Sequence, residues 1–122
     1  MNAVDTNLLV YAHRADATFH AQAREFIRSL AEGSEAWAIP WPCIHEFLAV
    51  VTNPRIWKQP SPPETALAAV AAWRAAPKLF LLAEDEQYWQ VLEGLLLTSK
   101  VVGAKVHDAR IAALALHHRV DT

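Results

Sequence analysis

Ala3-Val4-Asp5-Thr6-Asn7-Leu8-Leu9-Val10-Tyr11-Ala12 is the stretch that decides the fold class. A short apolar opening meets an aspartate, and a second apolar segment follows Asp5-Thr6-Asn7 directly. We read a strand ending at Asp5 and a helix beginning at once, with aspartate in a position it favours at helix starts. Outward from there, Phe19, Ala23, Phe26, Ile27 and Leu30 recur at helical spacing between Phe19 and Ala31, with Gln22, Arg24, Glu25 and Arg28 opposite. Gly33 suits the stop of that helix. Ala36-Trp37-Ala38-Ile39, closed by Pro40, reads as a buried strand. Pro42 starts a helix over Cys43 to Thr52, and Asn53-Pro54 ends it. Ser61-Pro62-Pro63-Glu64 has the form of a capping box and opens a helix to about Ala76. Lys78-Leu79-Phe80-Leu81-Leu82 is a third strand. Glu84, Asp85 and Glu86 suit the positive end of the next helix, which carries Trp89, Leu92, Leu96 and Leu97 and breaks at Gly103. A last helix runs from His107 or Asp108 to His118, and Val120 begins another strand. Strands alternating with helices predict an α/β fold with a parallel sheet covered on both faces.

The chain's 122 residues make one domain, 1–122. At 53% hydrophobic and 20% charged it is no disordered chain. With 11 Lys+Arg against 13 Asp+Glu, any grip on nucleic acid must come from a local patch. The single cysteine, Cys43, excludes a disulfide framework and fits a reducing, cytoplasmic setting. No signal peptide opens the sequence, and no apolar run reaches the ~18 residues of a membrane span.

Three acids stand out. Glu46 lies in Pro42-Cys43-Ile44-His45-Glu46-Phe47-Leu48-Ala49-Val50-Val51, a helix apolar around most of its circumference and therefore expected to be buried. A lone buried carboxylate is costly unless paired or metal-bound; the ordinary alternative is that Glu46 faces solvent or an arginine. Asp5 ends a strand and Asp108 opens an apolar helix; each also has an ordinary reading as a helix cap. Asp5 stands at the carboxyl end of a strand, where parallel α/β sheets collect their ligands, and Asp108 joins that edge if its helix follows a strand directly. Clustered carboxylates need a compensating cation, and oxygen donors suit Mg²⁺ or Mn²⁺. One cysteine and scattered histidines give no zinc spacing. A carboxylate-held ion points to hydrolysis of a phosphodiester. Glycines at 33, 94 and 103 form no phosphate loop, and no G-x-S-x-G elbow is present. A phosphatase acting on small molecules stays a third reading, although Asn7 stands where an aspartyl-phosphatase would want its second aspartate.

Val4 to Ala12, Ile44-His45-Glu46-Phe47 running to Thr52-Asn53-Pro54-Arg55, and Gly103 to Ala113 together resemble PIN-domain ribonucleases, and among them VapC-type toxins of bacterial toxin–antitoxin pairs. The resemblance implies a three-layer α/β/α sandwich that cleaves RNA with Mg²⁺ or Mn²⁺, as a homodimer silenced by a VapB-type antitoxin. It implies that Asp5, Glu46 and Asp108 are the metal-binding and catalytic acids, and that Thr6 supports the site by hydrogen bonding. The family carries a further acid after its last strand; here Val120-Asp121-Thr122 stand where that strand begins, and Asp121 falls too early to be that acid. The expectation is a truncated last strand, which leaves a non-catalytic PIN-like binding module as the alternative function. Arg110 and Arg55 are candidate RNA contacts, Arg55 with Trp57 and Lys58 in a loop that mixes cation and aromatic. Trp41, Trp57 and Trp73 hint at a partner surface, while Trp37 and Trp89 are read as core.

Overall fold

The computed structural model describes residues 1–118. Its elements run β1 (Asn2–Ala3), α1 (Thr6–His13), α2 (His20–Glu32), β2 (Trp37–Pro40), α3 (Trp41–Val51), α4 (Pro63–Arg74), β3 (Leu79–Leu82), α5 (Glu86–Ser99) and α6 (Lys105–His117). The strand expected from Val120 lies outside the described residues, as does Asp121.

The three strands are parallel in the order β1-β2-β3. Asn2 pairs with Trp37, and Trp37 to Pro40 pair in step with Leu79 to Leu82. All four residues of β2 are buried, as a strand with a helix layer on each face must be. Alternate side chains take opposite faces. Trp37 and Ile39 enter a core with Val4, Leu9, Ile27, Phe47, Val51 and Val70. Pro40 faces the other way, onto a groove bordered by Ile111 and Ala112 of α6. Successive right-handed crossovers in one direction put α1 to α4 on a single face. The chain then changes sides: α6 packs against β2, and α5 joins it around Tyr88, Leu92, Ala113 and Leu114. The result is the expected α/β/α sandwich.

Several local expectations need correction. α3 begins at Trp41, directly after β2, because proline is tolerated in a first turn and Pro42 sits there. α6 begins at Lys105, after left-handed Lys100 (φ 52°) and Gly103 (φ 65°), so Asp108 lies within its first turn and does not cap it. The capping box fails: Pro62 caps α4 with no side-chain bond. The Ser61 hydroxyl is drawn instead to α1, 2.9 Å from His13 Nε2, and it accepts from Arg14 Nη1 at 3.2 Å. Arg14 also donates to the Gln59 carbonyl at 2.9 Å and lies 4.2 Å over the Trp57 ring, which ties the α3–α4 loop to the end of α1. Trp41, Trp57 and Trp73 are half-buried and pack one side against the large core. Trp89 is 55% exposed, because α5 turns Tyr88 and Leu92 inward and leaves Trp89 to bond Glu93 at 3.0 Å.

Phe47 is fully buried, 4.9 Å edge-on to Trp73 and 5.3 Å from the His13 ring. Phe47→Ala is expected to cost about 3–5 kcal/mol in denaturant unfolding; a loss below about 1 kcal/mol would contradict this packing. Burial, then the charge of Arg14, then His20, hold the His13 pKa below its ordinary 6.5. The unfolded chain therefore binds a proton as pH falls through 6.5 while the folded chain does not. This contribution to stability is complete above 6.5, declines below it, and levels off under the folded pKa. His13→Gln should flatten that part of the stability–pH profile, and an unchanged slope would contradict it.

Candidate active site

Asp5 follows β1 and serves as the N-cap of α1, its Oδ1 accepting from the Leu8 N–H at 3.1 Å. The cap reading of Asp5 holds, and the cap leaves its carboxylate exposed. Thr6, only 7% exposed, turns its hydroxyl to the Cys43 thiol and so links the start of α1 to α3.

Glu46 is exposed, contrary to the burial expected of so apolar a helix. Cys43, Ile44, Phe47 and Val51 supply the buried side of α3, and the solvent side is merely filled with small or half-covered residues such as Ala49 and Val50. The cost of a buried charge therefore does not arise for Glu46. Side chains on a helix lean toward its N-terminus, so Glu46 leans back toward the carboxyl end of β2, from which α3 springs.

Asp108 reaches the same edge by a route the spacing did not suggest. α6 follows no strand; it returns from α5 and lays its first turn over the ends of β1 and β2. Asp108 and Asp5 border one groove of 780 Å³ whose floor is Val4, Leu8, Pro40 and Ile111. Asp108 and Glu46 border a second cleft of 310 Å³, together with His45, His107 and Arg110. The two hollows meet at Asp108. Burial pushes the Cys43 thiol above its ordinary pKa, and the charges of Glu46 and Asp5 push it further, so both acids act on one sulfur.

Among the described residues no three His, Cys, Asp or Glu side chains converge closely enough to hold a metal ion. The acids surround a cleft and do not form a closed cage. That donor set still fits Mg²⁺, which is commonly held by one or two carboxylates with water and substrate phosphate completing its shell. It does not fit zinc, which wants three or four convergent ligands.

Two of the expected cations fare differently. Arg110 lines the cleft, but its guanidinium is bonded to Glu84 and to the Tyr88 hydroxyl. Arg55 follows the far end of α3, a helix that runs away from the strand ends, and lines neither hollow. His45 and His107 were missed. Each immediately precedes an acid, and neighbours on a helix ordinarily face apart; only the meeting of α3 with α6 brings both rings to one cleft.

Comparison with known proteins identifies the family. The PIN domain family matches residues 3–122. Over 118 residues the chain is 38% identical to the VapC ribonuclease Mb2897 of Mycobacterium bovis, covering 97% of this chain and 80% of that protein. Ribonuclease VapC43 of Mycobacterium tuberculosis gives the same figures, and ribonuclease VapC37 of that species is 29% identical over 119 residues. The crystal structure of M. tuberculosis VapC20, a sarcin-ricin loop cleaving toxin, superposes with a TM-score of 0.65 at 16% identity, over 98% of this chain and 85% of that one. That likeness speaks for the fold. A parallel sheet with acids at its strand ends, joined to these identities, places the chain in the PIN-domain family, among the VapC ribonucleases.

Proposed function

We propose that this chain is a metal-dependent endoribonuclease, the toxin of a VapBC-type pair, that hydrolyses RNA phosphodiesters at the cleft around Asp108. The observation that carries the reading is that Asp5, Glu46 and Asp108, from three separate elements, border hollows that meet at one carboxylate. Asp5, Glu46 and Asp108 would hold Mg²⁺ or Mn²⁺, which when bound lowers the pKa of water and offsets charge developing on phosphate. The chain's own groups do the rest. The Asp5 cap and the Thr6–Cys43 contact fix where the first acid stands. A carboxylate orients the attacking water and takes its proton, and His45 or His107, on the cleft wall, is placed to protonate the leaving oxygen. Family membership supplies the partners of the proposal: RNA, a VapB-type antitoxin and a second copy of the chain. No described helix is long and apolar enough to cross a membrane, and the proposed setting is the cytoplasm. A second reading, a PIN-like module that binds without cleaving, is favoured by the lack of a three-ligand cage among the described residues.

The test is the purified chain with structured RNA, with Mg²⁺ or Mn²⁺, with EDTA, and as Asp5→Asn, Glu46→Gln or Asp108→Asn. Cleavage should need the metal and fall by roughly 10²-fold or more in each variant, with circular dichroism unchanged. Undiminished cleavage by Asp5→Asn would overturn the assignment. RNA bound but never cut by a folded chain would favour the binding module. A check independent of RNA uses Cys43: removing both charges in Asp5→Asn/Glu46→Gln should lower the thiol's titration, read by thiolate absorbance. No shift would mean that the two acids do not share one site.

A further inference from the structure

Arg110 is the one arginine or lysine among the described residues lining the smaller cleft, and it shares that cleft with Glu46 and Asp108. A guanidinium is always charged and binds carboxylates bidentately. The same cleft is lined by two exposed carboxylates, and a guanidinium swung onto them would act as their counter-ion and occupy the charge a divalent cation needs. Its partner is instead Glu84, in the turn between β3 and α5, 26 residues away in sequence. The Tyr88 hydroxyl, on the first turn of α5, is a second anchor on the same side.

Glu84 stands just ahead of α5, but the capping of that helix and the fastening of the turn do not depend on it. The N-cap of α5 is Asp85, whose Oδ1 accepts from the Tyr88 N–H at 2.8 Å. The turn is fastened to the end of α6 without Glu84: His117 Nε2 lies 2.9 Å from Asp85, and His118 Nε2 lies 3.1 Å from the Ala83 carbonyl. Among the described residues, Arg110 is the group Glu84 bonds. In this surface pair one member lines a candidate cation cleft and the other holds it from the turn ahead of α5.

We propose that Glu84 is a positioning residue that holds the Arg110 guanidinium against α5, keeping it off Glu46 and Asp108 so that their charge remains available to a divalent cation. This inference rests on the carboxylate site proposed above and adds to it a residue outside the cleft that governs cation affinity. It makes Arg110 a wall of the cleft whose position is set by Glu84.

Mn²⁺ binding, followed by the electron paramagnetic resonance signal of free Mn²⁺, tests this without reference to cleavage. The full chain is compared with Glu84→Gln, Glu84→Gln/Arg110→Gln and Asp5→Asn, each checked by circular dichroism. Glu84→Gln should weaken Mn²⁺ binding by roughly fivefold, the scale of one exposed charge interaction. The double variant should restore affinity to the parent value or better, because the freed cation is gone. A merely structural role for Glu84 would not be rescued by removing Arg110. Parent-like affinity in Glu84→Gln, or a loss that Arg110→Gln leaves in place, would overturn the inference. Asp5→Asn separates the two levels: if it leaves Mn²⁺ binding unchanged, the carboxylate site itself fails and this inference with it.

Discussion

Trp37 to Pro40 carries the constraint on which the rest of the molecule depends: a strand without solvent on either face, with a parallel neighbour along each edge. Burial on both faces demands apolar side chains throughout, and parallel pairing demands crossover helices long enough to return the chain to the start of the sheet. Both demands fix where polarity can go. The strands all end on one edge, so the residues just beyond them, Asp5 after β1 and α3 after β2, are gathered there without any attraction between them. Asp5 and α3 share that edge because the sheet is parallel, and Asp108 reaches it on α6, which follows no strand.

Their charge then has to be managed. Asp5 is partly satisfied as a helix cap, Glu46 faces solvent, and Asp108 stands in the first turn of a helix, where the dipole favours an anion. None of these devices neutralises the group as a cation would. The arginine that lines the cleft is committed elsewhere, Arg110 to Glu84. The cleft thus keeps its negative charge, the condition in which a divalent ion or a cation-bearing partner is drawn in.

How much of this could be read from sequence depends on how far each feature is local. The strand-to-helix junction at Asp5 is contiguous, and its alternation of apolar and capping residues was legible. So were the strand before Pro40 and the stop at Gly33, whereas α5 ends before Gly103, at Ser99, with left-handed Lys100 as its cap. Glu46 stood out through an expectation of burial that the structure does not bear out: small residues such as Ala49 are apolar in composition yet indifferent to exposure, which made a half-buried helix look wholly buried. Asp108 stood out as the opening of an apolar helix expected to follow a strand directly; α5 intervenes and α6 starts earlier, at Lys105. Ser61 had the local form of a cap, yet Arg14 and His13, more than forty residues away in sequence, claimed its hydroxyl. The Glu84–Arg110 pair and the arrival of His45 and His107 at one cleft join distant elements, and no periodicity encodes such meetings.

The central claim is that the carboxylates around Asp108 hold a divalent cation. Anomalous scattering from Mn²⁺ in crystals of the chain tests it most directly. The account predicts a peak within coordinating distance of Asp108 and of Asp5 or Glu46. A saturating soak that places Mn²⁺ elsewhere, or leaves this cleft without a peak, would contradict it.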